Sequence, residues 1–299
     1  MTPGSPSSVA SPPALIGAFT TDVEDYFQAE ALREFCPREQ WASFEDRTEP
    51  NTERVLAILD RRGVRGTFFV LGWTAGRHPA LVRRIADAGH EIASHGFAHE
   101  LIYRQTPDAF RDDVRRARGL LQDLSGQEVI GYRAPSYTIV ARTLWALPIL
   151  ADEGHRYDSS VFPIRRRKYG IPDAPRSPYR VGGEAGDLVE FPLPALRFGS
   201  LGFPATGGAF LRLLPLGFQI RAVRRLGDEH RPVALNVHPW ELDPGQPRFA
   251  VGLRTRWTHY HNLGQTEHRL ERLLNLGRFG TMTQVLQERG FLPLPVPAA

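Results

Sequence analysis

Between about residues 15 and 160 of this 299-residue chain, short apolar runs alternate with amphipathic stretches, and that alternation constrains the fold more than any other feature. Leu15 to Val23 reads as a strand. Pro50-Asn51 precedes a helix with Val55, Ile58 and Leu59 on its apolar face, stopped by Gly63, and Gly66-Thr67-Phe68-Phe69-Val70-Leu71 then reads as a buried strand. The unit repeats. His78 to Ala88 is amphipathic through Leu81, Val82 and Ile85 and ends at Gly89, and His90 to His95 is the next strand. Thr106-Pro107 supplies an N-cap and a first-turn proline to a helix burying Phe110, Val114, Ala117, Leu121 and Leu124, closed by Gly126. Val129 to Arg133 follows as a strand, then a helix through Leu144, Leu147 and Leu150, then Arg156-Tyr157-Asp158. Such an order implies a parallel sheet with right-handed crossovers, either an open doubly wound sheet or a barrel. No Gly-x-Gly-x-x-Gly follows the first strand, which argues against a dinucleotide fold and favours an irregular (β/α) barrel of the α/β class.

From Phe162 to about Pro204 the chain is rich in Pro, Gly and Arg, with one strand signal at Leu188 to Leu193, and is expected to form long loops over the barrel mouth. Arg231 to His238 is a late strand, and Leu270 to Leu286 is expected to add helices outside the barrel. The expected organisation is a flexible N-terminus over residues 1–14, a barrel over 15–245, and an extension over 246–299 packed on it. A content of 41% hydrophobic and 23% charged residues suits one large α/β domain with such an extension. The single cysteine, Cys36, excludes an internal disulfide framework and is expected half-buried in a reducing compartment. Met1 to Pro13 has neither the basic start nor the apolar segment of a signal peptide, and no apolar run approaches membrane-spanning length, so a cytoplasmic location is expected. The net charge of +4 sets 37 basic residues against 33 acidic ones spread along the whole chain, which is no nucleic-acid footprint. Only Arg165-Arg166-Arg167-Lys168 forms a basic run, by default a solvated loop and secondly a peripheral contact for a membrane surface or an anionic substrate.

His95 and His99 share the stretch Ser94-His95-Gly96-Phe97-Ala98-His99, and the acidic cluster Asp22-Val23-Glu24-Asp25 closes the first strand about seventy residues earlier. Two imidazoles four apart are expected on one face of a helical turn, where a carboxylate from a distant strand completes a three-ligand metal site open to water and substrate. A His-x-x-x-His pair alone is more often incidental. Here both motifs follow strand-like runs, which puts them at strand C-terminal ends, where α/β folds build their sites.

In order, the chain carries Asp22-x-Glu24-Asp25, Thr67-Phe68-Phe69, His95-x-x-x-His99, Arg133-Ala134-Pro135, Asp158-Ser159-Ser160 and Leu235-Asn236-Val237-His238. Over roughly residues 15 to 290 it resembles the NodB-type polysaccharide deacetylases, carbohydrate esterase family four. Asp22-Val23-Glu24-Asp25-Tyr26-Phe27 and the segment Trp257 to Gly264 are similar to the exosortase-associated branch found with exopolysaccharide loci. The resemblance implies a distorted β/α barrel that hydrolyses N-acetyl groups from an oligo- or polysaccharide. It also implies one divalent metal, usually zinc, held by two histidines and one acid.

By the same resemblance Asp22 is the general base and His238 the acid that protonates the leaving amine. Arg133 orients Asp22 through a bidentate ion pair. The family's commoner motif has two adjacent aspartates, whereas Val23 holds the second place here and Glu24 follows. Strand alternation puts Asp22 and Glu24 on one face, so Glu24 is expected to join His95 and His99 as the third ligand, with Asp25 as the fallback. The tyrosine usual after the proline is Ser136 here, with Tyr137 next, which leaves a backbone N–H of either residue as oxyanion donor. Leu235 and Trp240 are expected to wall the acetyl pocket, and Asp158 either orients His238 or Arg133 or serves as a cap at Ser159-Ser160. His78, His90, His155, His230 and His268 read as structural or solvated. Trp257, His259, Tyr260 and His261 either stack on sugar rings or pack a C-terminal rim. Two rival readings share the scaffold: a metal-dependent amidohydrolase of a small, allantoin-like amide, and a catalytically idle carbohydrate-binding relative. The joint presence of Asp22, both histidines, Arg133 and His238 opposes the second.

Overall fold

The first apolar run becomes the centre of the sheet. In the computed structural model, which describes residues 16–182, 187–199 and 201–294, β1 (Gly17–Val23) is buried along its whole length, as a strand covered on both faces must be. The expected flexible terminus, 1–14, lies outside the described residues. The remaining strands are β2 (Thr67–Val70), β3 (Glu91–Ser94), β4 (Gly131–Tyr132), β5 (Tyr157–Asp158), β6 (Tyr179–Arg180), β7 (Val189–Glu190), β8 (Ala195–Phe198), β9 (Leu201–Pro204), β10 (Val233–Val237) and β11 (Phe279–Gly280). The main sheet runs β10-β1-β2-β3-β4-β5-β7-β6, with β11 beside the start of β1, and every pairing in it is parallel except β6 with β7. No pairing joins β6 to β10 among the described residues, so the sheet curls into a half-barrel.

The helices are α1 (Thr48–Arg62), α2 (Gly72–Arg77), α3 (Pro79–Asp87), α4 (Pro107–Ser125), α5 (Ala146–Asp152), α6 (Ala209–Leu213), α7 (Leu216–Asp228), α8 (Leu253–Tyr260), α9 (Thr266–Leu274) and α10 (Met282–Glu288). The predicted caps form: Thr106 Oγ1 accepts the Ala109 N–H at 3.2 Å at the head of α4. On one face of the sheet Phe19, Phe68, Val70, Ile92, Leu235 and Val237 pack against apolar stripes of α1, α3, α7 and α9. On the other face Ala18, Phe69, Ala93 and Ala234 meet Met282, Val285 and Leu286 of α10. The expectation that Leu270 to Leu286 lies wholly outside the barrel is therefore corrected. The small side chains of Ala18, Ala93 and Ala234 leave room for α10 on the face opposite α9.

Two local readings also change. The helix expected through Leu144 begins only at Ala146, after a 3-10 turn, and Leu144 is exposed. The segment after Phe162 holds two two-residue strands and the β8–β9 hairpin rather than one strand, since elements that short carry no readable periodicity. Cys36 is fully buried, and burial pushes its thiol up to about 12. No described helix is long and apolar enough to cross a membrane. Because nearly all strands run parallel, their C-terminal ends meet on one side and bring Asp22, His95, Arg133, Asp158 and His238 together.

Candidate functional site

Glu24 stands immediately after β1, its N–H turned back onto the Asp22 carbonyl at 2.8 Å. Its Oε1 lies 2.8 Å from His95 Nε2 and 3.0 Å from His99 Nε2, and all three side chains are buried. The three donor atoms fall within 4.8 Å of one another. The histidines converge without the expected helical turn. Residues 95–99 form a loop in which Gly96 (φ 73°) and His99 (φ 52°) are left-handed, folding the rings to a centroid separation of 5.4 Å. Asp113 of α4 pins that loop by accepting the Phe97 N–H at 2.8 Å.

His95 Nδ1 is 2.8 Å from the Arg133 carbonyl oxygen, which can only accept, so Nδ1 carries the proton. Nε2 then offers a lone pair to a cation or, on a protonated ring, an N–H to Glu24. Burial opposes charge on Glu24, but His99 and the hydrogen bonds from both imidazoles outweigh it and hold the carboxyl far below the usual range. Two nitrogens and an ionised oxygen, turned toward one point with one ring's tautomer fixed from behind, fit a divalent cation. Asp25 does not share that point. Its carboxylate accepts the N–H groups of Tyr26 (2.7 Å) and Arg47 (2.5 Å) and the Thr48 hydroxyl (3.4 Å), and burial pushes it up to about 7. The fallback ligand is thus a cap for the turn after β1.

Beside the triad, Asp22 Oδ1 accepts from Arg133 Nη1 at 2.6 Å, while Oδ2 accepts from Asn236 Nδ2 at 3.2 Å and lies 3.4 Å from His238 Nε2. The expected bidentate pair is a single contact. The rest of the fully buried guanidinium is spread over Thr20 Oγ1, Asn236 Oδ1, and the carbonyl and hydroxyl of Ser159, with the Phe69 ring 4.0 Å away. Burial works against charge on Asp22, and Arg133 followed by His238 overcomes it, so the carboxyl sits far below its ordinary range. His238 Nδ1 is 2.5 Å from Glu241 Oε1. Burial again opposes the charge, yet Asp22 and Glu241 keep this imidazole protonated well above its usual value.

Ser136 and Tyr137 are both left-handed (φ 51° and 56°), and the Tyr137 hydroxyl accepts from Asn236 Nδ2 at 2.9 Å. Trp240 stacks on His238, with centroids 5.5 Å apart. Leu235 is corrected: with period-two alternation it joins Phe19 in the helix-side core, leaving Asn236 to face the site. Asp158 is hydrogen-bonded to neither His238 nor Arg133, although the Arg133 charge acts on it. It accepts from Ser160 Oγ at 2.5 Å, that hydroxyl accepts the Ala134 N–H at 2.7 Å, and its cross-strand neighbour is the buried Glu190. Sequence reasoning missed Thr20, Glu241 and the role of Asn236. Alternation with Leu235 could have found Asn236, and the Pro239-x-Glu241 spacing of a capping box after His238 could have found Glu241.

His259 and Tyr260 are buried and pack the rim, whereas Trp257 is exposed and stacks on His261 at 5.7 Å. Arg165, Arg166, Arg167 and Lys168 are exposed, and Lys168 reaches Glu30 at 3.3 Å. Next to His99 a cleft of about 160 Å3 is lined by Phe27, Glu30, Arg33, Arg38, Trp41 and Glu100.

Two histidines and one carboxylate thus converge at the strand C-terminal ends of a curled α/β half-barrel. Residues 33–151 match the family described as polysaccharide deacetylase, and residues 159–287 match a domain of unknown function, DUF3473. A peptidoglycan deacetylase-like protein of Gibberella zeae is 34% identical over 110 residues, covering 36% of this chain and 32% of that protein. The peptidoglycan-N-acetylglucosamine deacetylase of Bacillus cereus is 32% identical over 96 residues, covering 32% of this chain and 35% of its own length. The chain therefore spans about a third of each of these curated relatives. A crystal structure from Mycobacterium smegmatis, assigned to the polysaccharide deacetylases, superposes with a TM-score of 0.63 at 24% identity over 100% of this chain and 99% of that one, a likeness of fold. Residues 33–151 are thus similar to polysaccharide deacetylases, both by the family match and by these relatives.

Proposed function

We propose that the protein is a metal-dependent hydrolase that removes N-acetyl groups from an amino-sugar polysaccharide or its precursor. Glu24, His95 and His99 would hold one divalent cation, zinc in this reading. We further place it in the exopolysaccharide-associated branch, on the motif Asp22 to Phe27 and the segment Trp257 to Gly264. One observation carries the reading: Glu24 converges with His95 and His99 and also, as a second possible group, with Asp22 and His238, but Asp22 is engaged by Arg133 and His238 by Glu241, so in this reading the first three ligate and the other two move protons. A cation in the triad supplies Lewis acidity, polarising the amide carbonyl and making a neighbouring water more acidic.

The chain's own residues do the rest. Asp22, kept ionised by Arg133, accepts the proton of the attacking water. His238, kept protonated by Asp22 and Glu241, gives its proton to the departing nitrogen as the C–N bond breaks, leaving acetate and the free amine. The Tyr137 N–H is already bonded to the Ala134 carbonyl at 3.0 Å, so the Ser136 N–H is the backbone donor assigned to the developing oxyanion. Trp240 and Tyr137 flank the acetyl group, and the cleft beside His99 takes the adjoining sugar.

The test is acetate release from chitotetraose by the purified protein, with allantoin assayed in parallel. Acetate from the oligosaccharide alone is the expected result, and turnover of allantoin alone would replace this reading with the small-amide one. His238→Ala should slow the amide strongly and 4-nitrophenyl acetate much less, because nitrophenolate leaves without a proton.

A further inference from the structure

We propose that Arg212 is a positioning residue for the acid, fixing the His238 ring through Glu241 and tying it to the C-terminal end of α8. The inference rests on the deacetylase reading for its substrate.

Glu241 is fully buried, and its two oxygens are divided: Oε1 faces His238 Nδ1 at 2.5 Å and Oε2 accepts from Arg212 Nε at 2.8 Å. Burial works against the carboxylate, and the Arg212 charge is the largest influence opposing it, bringing the group down to about 2. Without that cation the buried carboxylate would have to take up a proton or draw the one on His238, and it would no longer hold the imidazole as an anion. Arg212 is itself fully buried on the short helix α6. Its Nη1 donates to the carbonyls of His259 and His261 at 2.9 Å each, and its Nη2 to that of Thr258 at 3.1 Å. These are carbonyls at the end of α8, which a helix leaves unpaired and a cation satisfies. The guanidinium also lies 5.4 Å from the Trp240 ring that stacks on His238. Gly208, the residue before α6, bonds through its N–H to the Asn236 carbonyl at 3.0 Å beside His238. One side chain therefore joins three segments around the acid, all within the matched domain of unknown function.

The experiment compares wild type, Arg212→Gln, Arg212→Lys and Glu241→Gln for kcat and KM on chitotetraose, for rate on 4-nitrophenyl acetate, for bound metal, and for the downfield Nδ1 proton of His238 by NMR. Arg212→Gln should lower kcat on chitotetraose about 10- to 100-fold, with KM and the ester rate within about threefold and metal unchanged, as for residues that orient a reacting group from behind. Arg212→Lys should recover part of the loss, and the downfield resonance should move upfield in Arg212→Gln. Parallel losses on amide and ester would reduce Arg212 to a structural role and overturn the proposal. So would an unmoved resonance in a folded Arg212→Gln. If that variant does not fold, Arg212→Lys and Glu241→Gln carry the same comparison. A wild type that releases no acetate while the resonance still responds to Arg212 would defeat the deacetylase reading and leave the Arg212–Glu241–His238 coupling standing.

Discussion

Arg133 Nη1 lies 2.6 Å from Asp22 Oδ1, with both side chains shut away from solvent, so each charge compensates the other. Removing the cation leaves the buried carboxylate with His238 and Asn236 alone, and deprives the Ser159 carbonyl and hydroxyl and Asn236 Oδ1 of the donor they accept from. Arg133→Met should therefore cost about 3–5 kcal/mol in urea unfolding, the scale for breaking one side of a buried pair. A loss below about 1 kcal/mol would mean that the pair is not a stabilising element.

Asp22→Asn keeps the shape of the side chain and removes its charge. Asp22 is not part of the Glu24, His95 and His99 triad, although it forms a second possible group with Glu24 and His238; with the triad as the site, bound metal should stay at wild-type stoichiometry while turnover falls by about two to four orders of magnitude. Loss of metal in this variant would make Asp22 a ligand and hand the proton to another group.

Glu24→Gln and Asp25→Asn separate ligand from cap. The first should release the cation, since the amide offers neither charge nor a strong donor. The second should keep metal and cost about 1 kcal/mol of stability through the weakened cap. The reverse order in a metal titration would reassign the third ligand.

The buried Asp158–Glu190 neighbours give a pH signature. Both carboxyls are raised, burial being the chief cause and, for Glu190, Asp158 the next. A folded value above the unfolded one means that this stabilisation is complete below the ordinary carboxylate range and is lost as pH rises through the folded value. Glu190→Gln removes one of the titrating groups, so its melting temperature should fall less than the wild type's as the pH is raised above the ordinary carboxylate range. Identical pH curves would show that the pair holds no proton the fold depends on.

Strands β1 to β5 and β10, and the residues at their ends, were legible because a parallel sheet writes its strands as apolar runs and gathers their C-termini on one side. What was not legible depends on backbone conformations and distant partners. His95 and His99 meet through left-handed residues rather than the helical turn that their spacing suggests. Leu235 was expected in the pocket although alternation from Asn236 turns it to the core. Arg212 belongs to none of the motifs read from the sequence, and only the fold brings it to Glu241. The strand β11 and the inward α10 are hidden for a related reason: two residues carry no period, and the space that admits Met282 is made by alanines far away in the chain.

On the function proposed above, hydrolysis of an N-acetyl group depends on a cation held by Glu24, His95 and His99. The most direct test of that dependence is to strip the purified protein with a chelator, then measure acetate released from chitotetraose while zinc is titrated back into wild type and His95→Ala. Release should vanish in the stripped protein, return at one zinc per chain in the wild type, and stay absent in His95→Ala, which should bind no stoichiometric metal. Undiminished release from the stripped protein, or full metal occupancy and turnover in His95→Ala, would contradict it.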